Sequence, residues 1–208
     1  MQGEWDSLTP PWRACLELMW EAYAANTIPV GAVLVNGKGD VVARGRNGVY
    51  EDAGTGKDNR LLSHAEFNVL CGLDPEQRYE DHTVYGSLEP CLLCVGATVM
   101  ATVGTLRFAG ADPYAGAAGF GFTNPHIDRL DFSLEGPRDD AFGRLATSLH
   151  VEFFLRRNPG GHVVRVYRER LPQAMELAIA LTEADVFALS QQVPTLEGAL
   201  MEISHLMA

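Results

Sequence analysis

Hydrophobic residues recur at helical spacing near the start of the chain and in short strand-like runs further on. Residues 9–26 (TPPWRACLELMWEAYAAN) carry apolar side chains three and four positions apart, which predicts an amphipathic helix. The continuous apolar run at 30–36 is typical of a buried strand, and 41–47 predicts a second strand. The turn-forming residues GKGD at 37–40 lie between the two runs and predict a β-hairpin.

The middle of the chain alternates between helical and strand-like segments. We expect helices over 63–73 and 90–101, and strands over 82–88 and 104–110. A strand, a helix and a second strand in this order are typical of a right-handed crossover between parallel neighbours. The polar stretch at 50–60 predicts a loop in front of this unit.

Beyond the Gly- and Ala-rich loop at 111–122, the pattern predicts one more hairpin and then helices. The segments 150–155 (HVEFFL) and 162–167 (HVVRVY) are typical of two strands, which RRNPGG would join. From about Leu171 onward the apolar spacing is helical. The sequence therefore predicts a mixed sheet with helices on it, followed by a helical C-terminal extension.

The composition is that of an ordinary globular domain, with 208 residues of which 47% are hydrophobic and 21% charged. There is no apolar run of about 18 residues, so we expect no membrane span. The first residues show no basic region followed by an apolar one, so we expect no signal peptide. With four cysteines, these features predict a reducing, cytoplasmic setting, in which thiols serve as metal ligands or buried residues.

The net charge of −11 argues against a nucleic-acid partner, because proteins that bind polyanions usually carry a basic surface. One local exception is the stretch 156–170, which contains five arginines and one glutamate. A solvated face with surface ion pairs is the simpler interpretation of this stretch. Contact with a phosphate backbone is the alternative.

Two cysteines three positions apart, Cys91 and Cys94, begin the helix predicted at 90–101 and share one of its faces. His64 lies at the start of the other predicted helix. If the two helices lie side by side, their N-terminal dipoles favour the thiolate form that binds metal. These three ligands would leave one position of a tetrahedral zinc open, as in catalytic sites. Cys71 lies two helical turns, roughly 10 Å, beyond His64, so we expect Cys71 and Cys15 to be buried thiols.

Glu66 follows His64 by two positions and admits two interpretations. Ser63 and Glu66 match a capping box, in which the carboxylate would accept a hydrogen bond from a backbone N–H. Beside a three-ligand zinc site, however, a single carboxylate can take the proton of a water molecule and protonate a leaving nitrogen. The neighbouring ligands favour this acid–base role.

The residues identified so far resemble a known family of enzymes. His64-Ala65-Glu66 and Pro90-Cys91-Leu92-Leu93-Cys94 match the H-x-E and P-C-x-x-C signature of zinc deaminases. The stretches PVGAVLV, SLEPC and ADPYAGAAG, with Asn47, are similar to the branch that holds tRNA adenosine deaminases, guanine deaminases and related nucleoside deaminases. The resemblance covers roughly residues 11 to 155.

The resemblance implies a cytidine-deaminase-like three-layer α/β/α sandwich. Its sheet would be a mixed five-stranded one, and a helical extension would follow at the C-terminus. We expect a zinc deaminase domain over 1–155. The extension, 156–208, would comprise a hairpin strand and helices packed on the same domain.

The resemblance also implies the chemistry, which is zinc-dependent hydrolytic deamination of an amino-substituted base or nucleoside. Zn²⁺ would be held by the His and Cys ligands, and Glu66 would carry the protons. A shallow site of this kind is often completed by a second subunit, so we expect a homodimer.

Five further positions correspond to the family's substrate pocket. The Asn47 side chain would hold the base or the sugar, and the Ala65 backbone N–H would contact the ring. Pro29 and Val30 would form part of the pocket wall. Asp112 corresponds to a position near the substrate, although an Asp-Pro pair is also a common turn former.

Two alternatives remain open at this stage. The substrate could be an adenosine in a tRNA loop, which the Arg-rich stretch favours and the net charge of −11 opposes. The protein could also be an inactive relative that only binds zinc and a partner. The stretch 47–64 is longer than in the tRNA branch, and the C-terminal extension replaces a single helix. Both departures concern the substrate rather than the chemistry.

Overall fold

The structure of the protein is a computed structural model that describes residues 1–51, 60–121 and 123–207. Most of the loop predicted at 50–60 lies outside these residues. The strands are β1 Gly31–Val35, β2 Val41–Arg46, β3 Thr83–Leu88, β4 Thr105–Gly110 and β5 Ser133–Glu135. The helices are α1 Gln2–Ser7, α2 Pro10–Ala24, α3 Ala65–Leu70, α4 Leu92–Met100, α5 Pro125–Leu130, α6 Ala141–Arg157, α7 His162–Arg170, α8 Pro172–Glu183, α9 Val186–Gln192 and α10 Leu196–Ile203. Short 3₁₀ turns occupy Arg60–Leu62 and Ser204–Met207.

The five strands form one mixed sheet in the order β2-β1-β3-β4-β5. β1 pairs antiparallel with both β2 and β3, while β3, β4 and β5 run parallel to one another. The predicted hairpin and the predicted crossover from β3 through α4 to β4 are both confirmed. The fifth strand is β5, which the sequence pattern did not indicate.

The sheet is covered by helices on both faces, which explains the continuous apolar run of β1. Val33 and Val35 point into a core shared with α2 and α6. Ala32 and Leu34 alternate with them and point into a second core shared with α3. The predicted three-layer α/β/α sandwich is confirmed.

The hairpin predicted over 150–155 and 162–167 is wrong, because both segments are helical. Residues 150–155 lie inside α6, which Asp140 begins by accepting a hydrogen bond from the N–H of Gly143. Nearly every residue of α6 from 141 to 153 is buried, since the helix lies between the sheet and the C-terminal helices. A helix buried on all sides loses its amphipathic period and resembles a strand over a short window.

The helices α8 to α10 pack against earlier helices of the chain, α8 against α6 and both α9 and α10 against α2. Leu181 of α8 and Leu200 of α10 are buried in the same core as Trp12 and Trp20 of α2. The division expected at residue 155 falls inside α6, and the extension beyond it contains helices but no strand among its described residues.

The two remaining thiols have different environments. Cys15 is fully buried and its Sγ donates to the carbonyl of Gly31, as expected of a core thiol. The expectation that Cys71 is buried is wrong, because α3 ends at Leu70 and leaves Cys71 exposed at the C-cap. Among the helices that the structure describes, none combines the length and the apolar character needed to cross a bilayer.

Candidate active site

Three potential metal ligands meet where two helices begin on the same face of the sheet. His64 is the N-cap of α3 and Cys91 is the N-cap of α4, both in extended conformation. Neither side chain forms a capping hydrogen bond of the usual kind. Cys94 lies in the first turn of α4 and is buried. The imidazole and the two thiols are therefore free to converge on one point.

The three ligand atoms form a nearly equilateral triangle. His64 Nδ1 lies 3.5 Å from Cys91 Sγ and 3.6 Å from Cys94 Sγ, and the two sulfur atoms are 3.6 Å apart. Tetrahedral zinc with usual bond lengths separates two sulfur ligands by about 3.7 Å, and a sulfur from a nitrogen ligand by about 3.5 Å. The three side chains therefore fit a zinc ion in the positions that they occupy in the structure. Across residues 1–51, 60–121 and 123–207, it is the one set of three His, Cys, Asp or Glu residues close enough to hold a metal.

The protons of the two thiols are distributed unequally. The hydrogen bond from Cys94, with help from His64, lowers the pKa of Cys91 to about 4. Donating that hydrogen bond, together with burial, raises the pKa of the Cys94 thiol. The Cys91 thiolate also raises the pKa of His64. Without metal, Cys91 is thus the thiolate of the pair, and a cation would replace the proton on Cys94.

The Glu66 carboxylate is directed to this group and does not form the capping box. Its Oε2 lies 3.2 Å from Cys94 Sγ, and the residue is only 3% exposed. Ser63 is not the N-cap of α3; its hydroxyl contacts the side-chain amide of Asn68. Burial is the main reason that the pKa of Glu66 is raised, which favours the protonated form of this carboxyl group.

A cavity of about 180 Å³ opens beside the metal group. Of the positions that the resemblance assigned to the substrate pocket, Asn47, Val30 and Asp112 line the cavity. Pro29 is buried outside the lining, which Ile28 supplies instead.

Ala65 is the first residue of α3 and lies behind the cavity wall. Its side chain is fully buried, and its backbone N–H donates to no group within the described ranges. This N–H belongs to the N-terminal turn of the helix, where donors have no partner inside the helix. The contact of this N–H with a substrate therefore stays a prediction.

Asn47 is fixed at the end of β2 by three hydrogen bonds. Its backbone N–H donates to the carbonyl of Val30, and its Oδ1 accepts from Thr27 Oγ1 and from the N–H of Val49. Because the oxygen is committed to these donors, the NH₂ group of the amide is left to donate into the cavity.

Asp112 is a turn former that also faces the cavity. Its Oδ1 accepts from the backbone N–H groups of Tyr114 and Ala115 and from the hydroxyl of Tyr167. Its own N–H donates to the Glu89 carboxylate. The turn therefore shapes the cavity wall and commits Oδ1, whereas Oδ2 accepts no hydrogen bond from the described residues.

Sequence reasoning missed several cavity residues, and two of them come from a single helix. His150 and Phe154 line the cavity from α6, one helical turn apart. They lie in the segment that was predicted to be a strand, and nothing in the sequence placed that segment beside the metal ligands. The sequence Asp140-x-x-Gly143 at the start of α6 was a helix signal that could have placed both residues on one face.

Much of the Arg-rich stretch is structural. Arg156 Nε donates to Glu152 at 2.8 Å, and its guanidinium lies 3.9 Å from the ring centroid of Phe187. Arg157 stacks on Tyr50 with 4.4 Å between guanidinium and ring centroid. These two arginines hold α6 to its neighbours.

The fold and the site define a three-layer α/β/α protein with an open three-ligand metal centre and a buried carboxylate beside it. Residues 9–109 match the family described as the cytidine and deoxycytidylate deaminase zinc-binding region. All three ligands and Glu66 lie within this match.

Three relatives indicate how far the similarity extends. A tRNA(Ile)-lysidine synthase of Deinococcus radiodurans is 37% identical over 108 residues, which cover 50% of this chain and 17% of that protein. A tRNA-specific adenosine deaminase of Bacillus subtilis is 37% identical over 95 residues, 44% of this chain and 55% of that protein. A tRNA-specific adenosine deaminase of Haemophilus influenzae is 35% identical over 127 residues, 59% of this chain and 69% of that protein. The chain spans less than two thirds of the first two relatives.

Among solved structures, a chain from a study of A-to-I editing by tRNA:A34 deaminases is 28% identical. The TM-score is 0.49, and the match covers 61% of this chain and 96% of that chain. Taken with the match to the Haemophilus influenzae protein, the family match shows that this chain belongs to the cytidine and deoxycytidylate deaminase family.

Proposed function

We propose that the protein is a zinc-dependent hydrolase that replaces the amino group of a nucleobase or nucleoside by oxygen and releases ammonia. The observation that carries this proposal is the buried Glu66 carboxylate, 3.2 Å from Cys94 Sγ in the metal group. A purely structural zinc site has four protein ligands and needs no acid or base beside it. Three ligands and an adjacent carboxyl group are the arrangement that hydrolysis requires.

His64, Cys91 and Cys94 would hold the zinc ion. When bound, zinc supplies a positive centre that lowers the pKa of water and makes it a nucleophile near neutral pH. The near-equilateral triangle of ligand atoms supports this assignment. The predicted cytoplasmic location is consistent with it, because both thiols must stay reduced to bind metal.

Glu66 would carry the two protons of the reaction. It accepts a proton from the attacking water and donates it to the ring nitrogen beside the reacting carbon. It then transfers the second proton to the amino group, which leaves as ammonia while the carbonyl forms. The raised pKa of Glu66 suits both roles, since proton transfer is most effective when the pKa lies near the working pH.

The cavity supports a compact substrate. Its volume of about 180 Å³ lies below the ~300–1,000 Å³ of most ligand pockets. The apolar side chains of Ile28 and Val30 can contact the faces of a planar ring, and the Asn47 NH₂ and Ala65 N–H can donate to its edge. A single base fits this space, and a sugar would lie at the opening.

An adenosine in tRNA is the second candidate substrate, because the Bacillus subtilis and Haemophilus influenzae relatives are named tRNA-specific adenosine deaminases. Arg168 and Arg170 are exposed, and neither has an ion-pair partner among the described residues. With Arg157 and Arg165, which are also exposed without an ion pair among the described residues, they make four positive charges, a small footprint on a chain of net charge −11. We therefore favour a free base or nucleoside.

We further propose that the protein is a homodimer. α4 exposes Leu92 and Met100, which are eight residues apart and lie on one side of the helix, at 55% and 74% exposure. Leu61, which precedes the ligand His64 by three positions, is 75% exposed. Exposed apolar side chains next to the site give a second subunit a surface to cover.

Ammonia release from a panel of aminated bases and nucleosides tests the proposed function. The zinc-loaded protein should release ammonia from at least one of them, and a tRNA carrying the target adenosine should be included in the panel. No release from any member, by protein with one zinc per chain, would favour an inactive zinc-binding relative.

A further inference from the structure

His150 is a buried cavity residue that the proposed chemistry does not use. It is 5% exposed, lines the same cavity as the metal ligands, and comes from α6 on the opposite side from α3 and α4. Its Nδ1 lies 2.8 Å from the hydroxyl oxygen of Tyr167 in α7. Tyr167 is fully buried, so this hydrogen bond is shielded from solvent.

The chain of hydrogen bonds fixes which ring nitrogen of His150 carries the proton. The Tyr167 hydroxyl lies 3.1 Å from Asp112 Oδ1, which already accepts from two backbone N–H groups. A carboxylate oxygen can only accept, so the single proton of the phenol points to Asp112. The phenol oxygen must then accept from His150, and the proton of the imidazole lies on Nδ1.

This assignment leaves His150 Nε2 as a hydrogen-bond acceptor. Burial lowers the pKa of His150, against the opposing effect of Asp112, so the ring is neutral near pH 7. Burial also raises the pKa of Tyr167, which keeps the phenol protonated. Nε2 has no hydrogen-bond partner in the described part of the chain, and the side chain lines the cavity.

We propose that His150 determines substrate specificity by accepting, at Nε2, a hydrogen bond from an N–H of the bound base other than the amino group that leaves. Asp112 and Tyr167 act as positioning residues, because they hold the imidazole in the tautomer that presents a lone pair. The inference rests on the proposed deaminase function and names its substrate class. A purine with a second N–H donor on its six-membered ring fits, whereas N9-substituted adenine and N1-substituted cytosine leave Nε2 unsatisfied.

Two matched pairs of 9-methylpurines isolate this hydrogen bond. 9-Methyladenine and 2,6-diamino-9-methylpurine share the 6-amino group, and only the second has an additional amino donor. 2-Amino-9-methylpurine and 9-methylguanine share the 2-amino group, and only the second has a ring N–H. The 9-methyl group removes the imidazole N–H from all four compounds. For the zinc-loaded protein, we expect kcat/KM or binding affinity to favour the donor-bearing member of at least one pair by about tenfold or more.

Two variants separate recognition from structural support. In His150→Asn the shorter amide can still donate to Tyr167 but does not reach the cavity, so the preference within the pair should be lost. In His150→Gln the amide oxygen lies near the former position of Nε2, so part of the preference should return. A merely structural role would change both members of a pair equally. A preference that is absent from the wild type, or unchanged in His150→Asn, would overturn the proposal.

Two further readouts keep this inference distinct from the proposed function. Calorimetric titration of the same four compounds gives the affinity ratio even if none of them releases ammonia. In ¹⁵N NMR spectra at neutral pH, His150 should show a protonated Nδ1 and an unprotonated Nε2. Tyr167→Phe should abolish this fixed tautomer. Protonation at Nε2 in the wild type would contradict the inference whether or not the protein is a deaminase.

Discussion

Glu66 Oε2 lies 3.2 Å from Cys94 Sγ, and this contact joins the buried carboxylate of α3 to the metal group at the start of α4. Of the two interpretations of Glu66 that the sequence allows, the contact favours the acid–base role. In a capping box the carboxylate would accept from the backbone N–H of Ser63 at the N-cap, but His64 is the N-cap of α3 and Oε2 of Glu66 contacts a thiol that zinc would hold as a thiolate.

The first prediction concerns the metal content. Purified protein should contain one zinc per chain, and Cys91→Ser and Cys94→Ala should each lose most of it, because two remaining ligands bind weakly. Cys71→Ser is the matched control, since Cys71 is exposed and outside the ligand triangle. Elemental analysis measures all four proteins. Full zinc occupancy in Cys94→Ala would contradict the ligand assignment.

The second prediction uses the glycine that faces Glu66. A Cβ at Gly86 would lie 3.1 Å from Glu66 Oε1 and 3.3 Å from the carbonyl of Leu88. Gly86→Ala should therefore displace the carboxylate and reduce turnover by about tenfold or more, with zinc retained. Gly3→Ala is the control, because no atom lies within 4 Å of a Cβ there. Unchanged turnover in Gly86→Ala would show that the position of Glu66 is not critical.

The third prediction concerns stability and pH. Burial raises the pKa of Glu66 in the folded state, so the folded metal-free protein binds this proton more tightly than the unfolded chain does. This contribution to stability is fully present below the ordinary carboxyl pKa of ~4.3 and is lost as pH rises through the raised folded value. Glu66→Gln has no carboxyl group at this position, so its stability does not fall with pH for this reason. In thermal unfolding with chelator, Glu66→Gln should therefore melt above the wild type at pH 7, with the gap narrowing toward pH 4. Parallel melting curves across this range would refute the raised pKa.

The fourth prediction tests whether the Arg-rich stretch is structural. Glu152 is 1% exposed at its side chain and pairs with Arg156. Removing the cation leaves a buried carboxylate without its charge partner, so Arg156→Ala should lower the free energy of unfolding by about 3 kcal/mol. Arg168→Ala should be nearly neutral, because that side chain is exposed and unpaired in the described structure. Urea unfolding measures both. An Arg156→Ala variant of unchanged stability would contradict the structural interpretation of the stretch. Loss of tRNA binding in Arg168→Ala would support the nucleic-acid interpretation instead.

Much of the site could be predicted because its signals are local. His64 and Cys91 are N-caps, Pro90 marks the start of α4, and the spacing of Cys91 and Cys94 predicts that they share a face. Glu66 was ambiguous in sequence, since a capping box and an acid–base role use the same residue types. Only the position of its carboxylate resolved the ambiguity.

The remainder of the cavity could not be predicted because it depends on long-range packing. His150 and Phe154 reach the cavity because α6 crosses the sheet beside the turn at Asp112. Burial of nearly every residue of α6 from 141 to 153 removed the polar face that marks a helix in sequence. β5, with three residues, was too short to show a period.

The central claim is that Glu66 carries protons at a zinc centre, and ammonia release by Glu66→Gln tests it most directly. Glutamine preserves the shape of the side chain but cannot accept a proton. Zinc content should stay at one per chain, the fold should persist, and turnover of the substrate found in the screen should fall by a factor on the order of 10² to 10⁴. Near-normal turnover in zinc-loaded Glu66→Gln would contradict the account, because it would show that another group carries the protons.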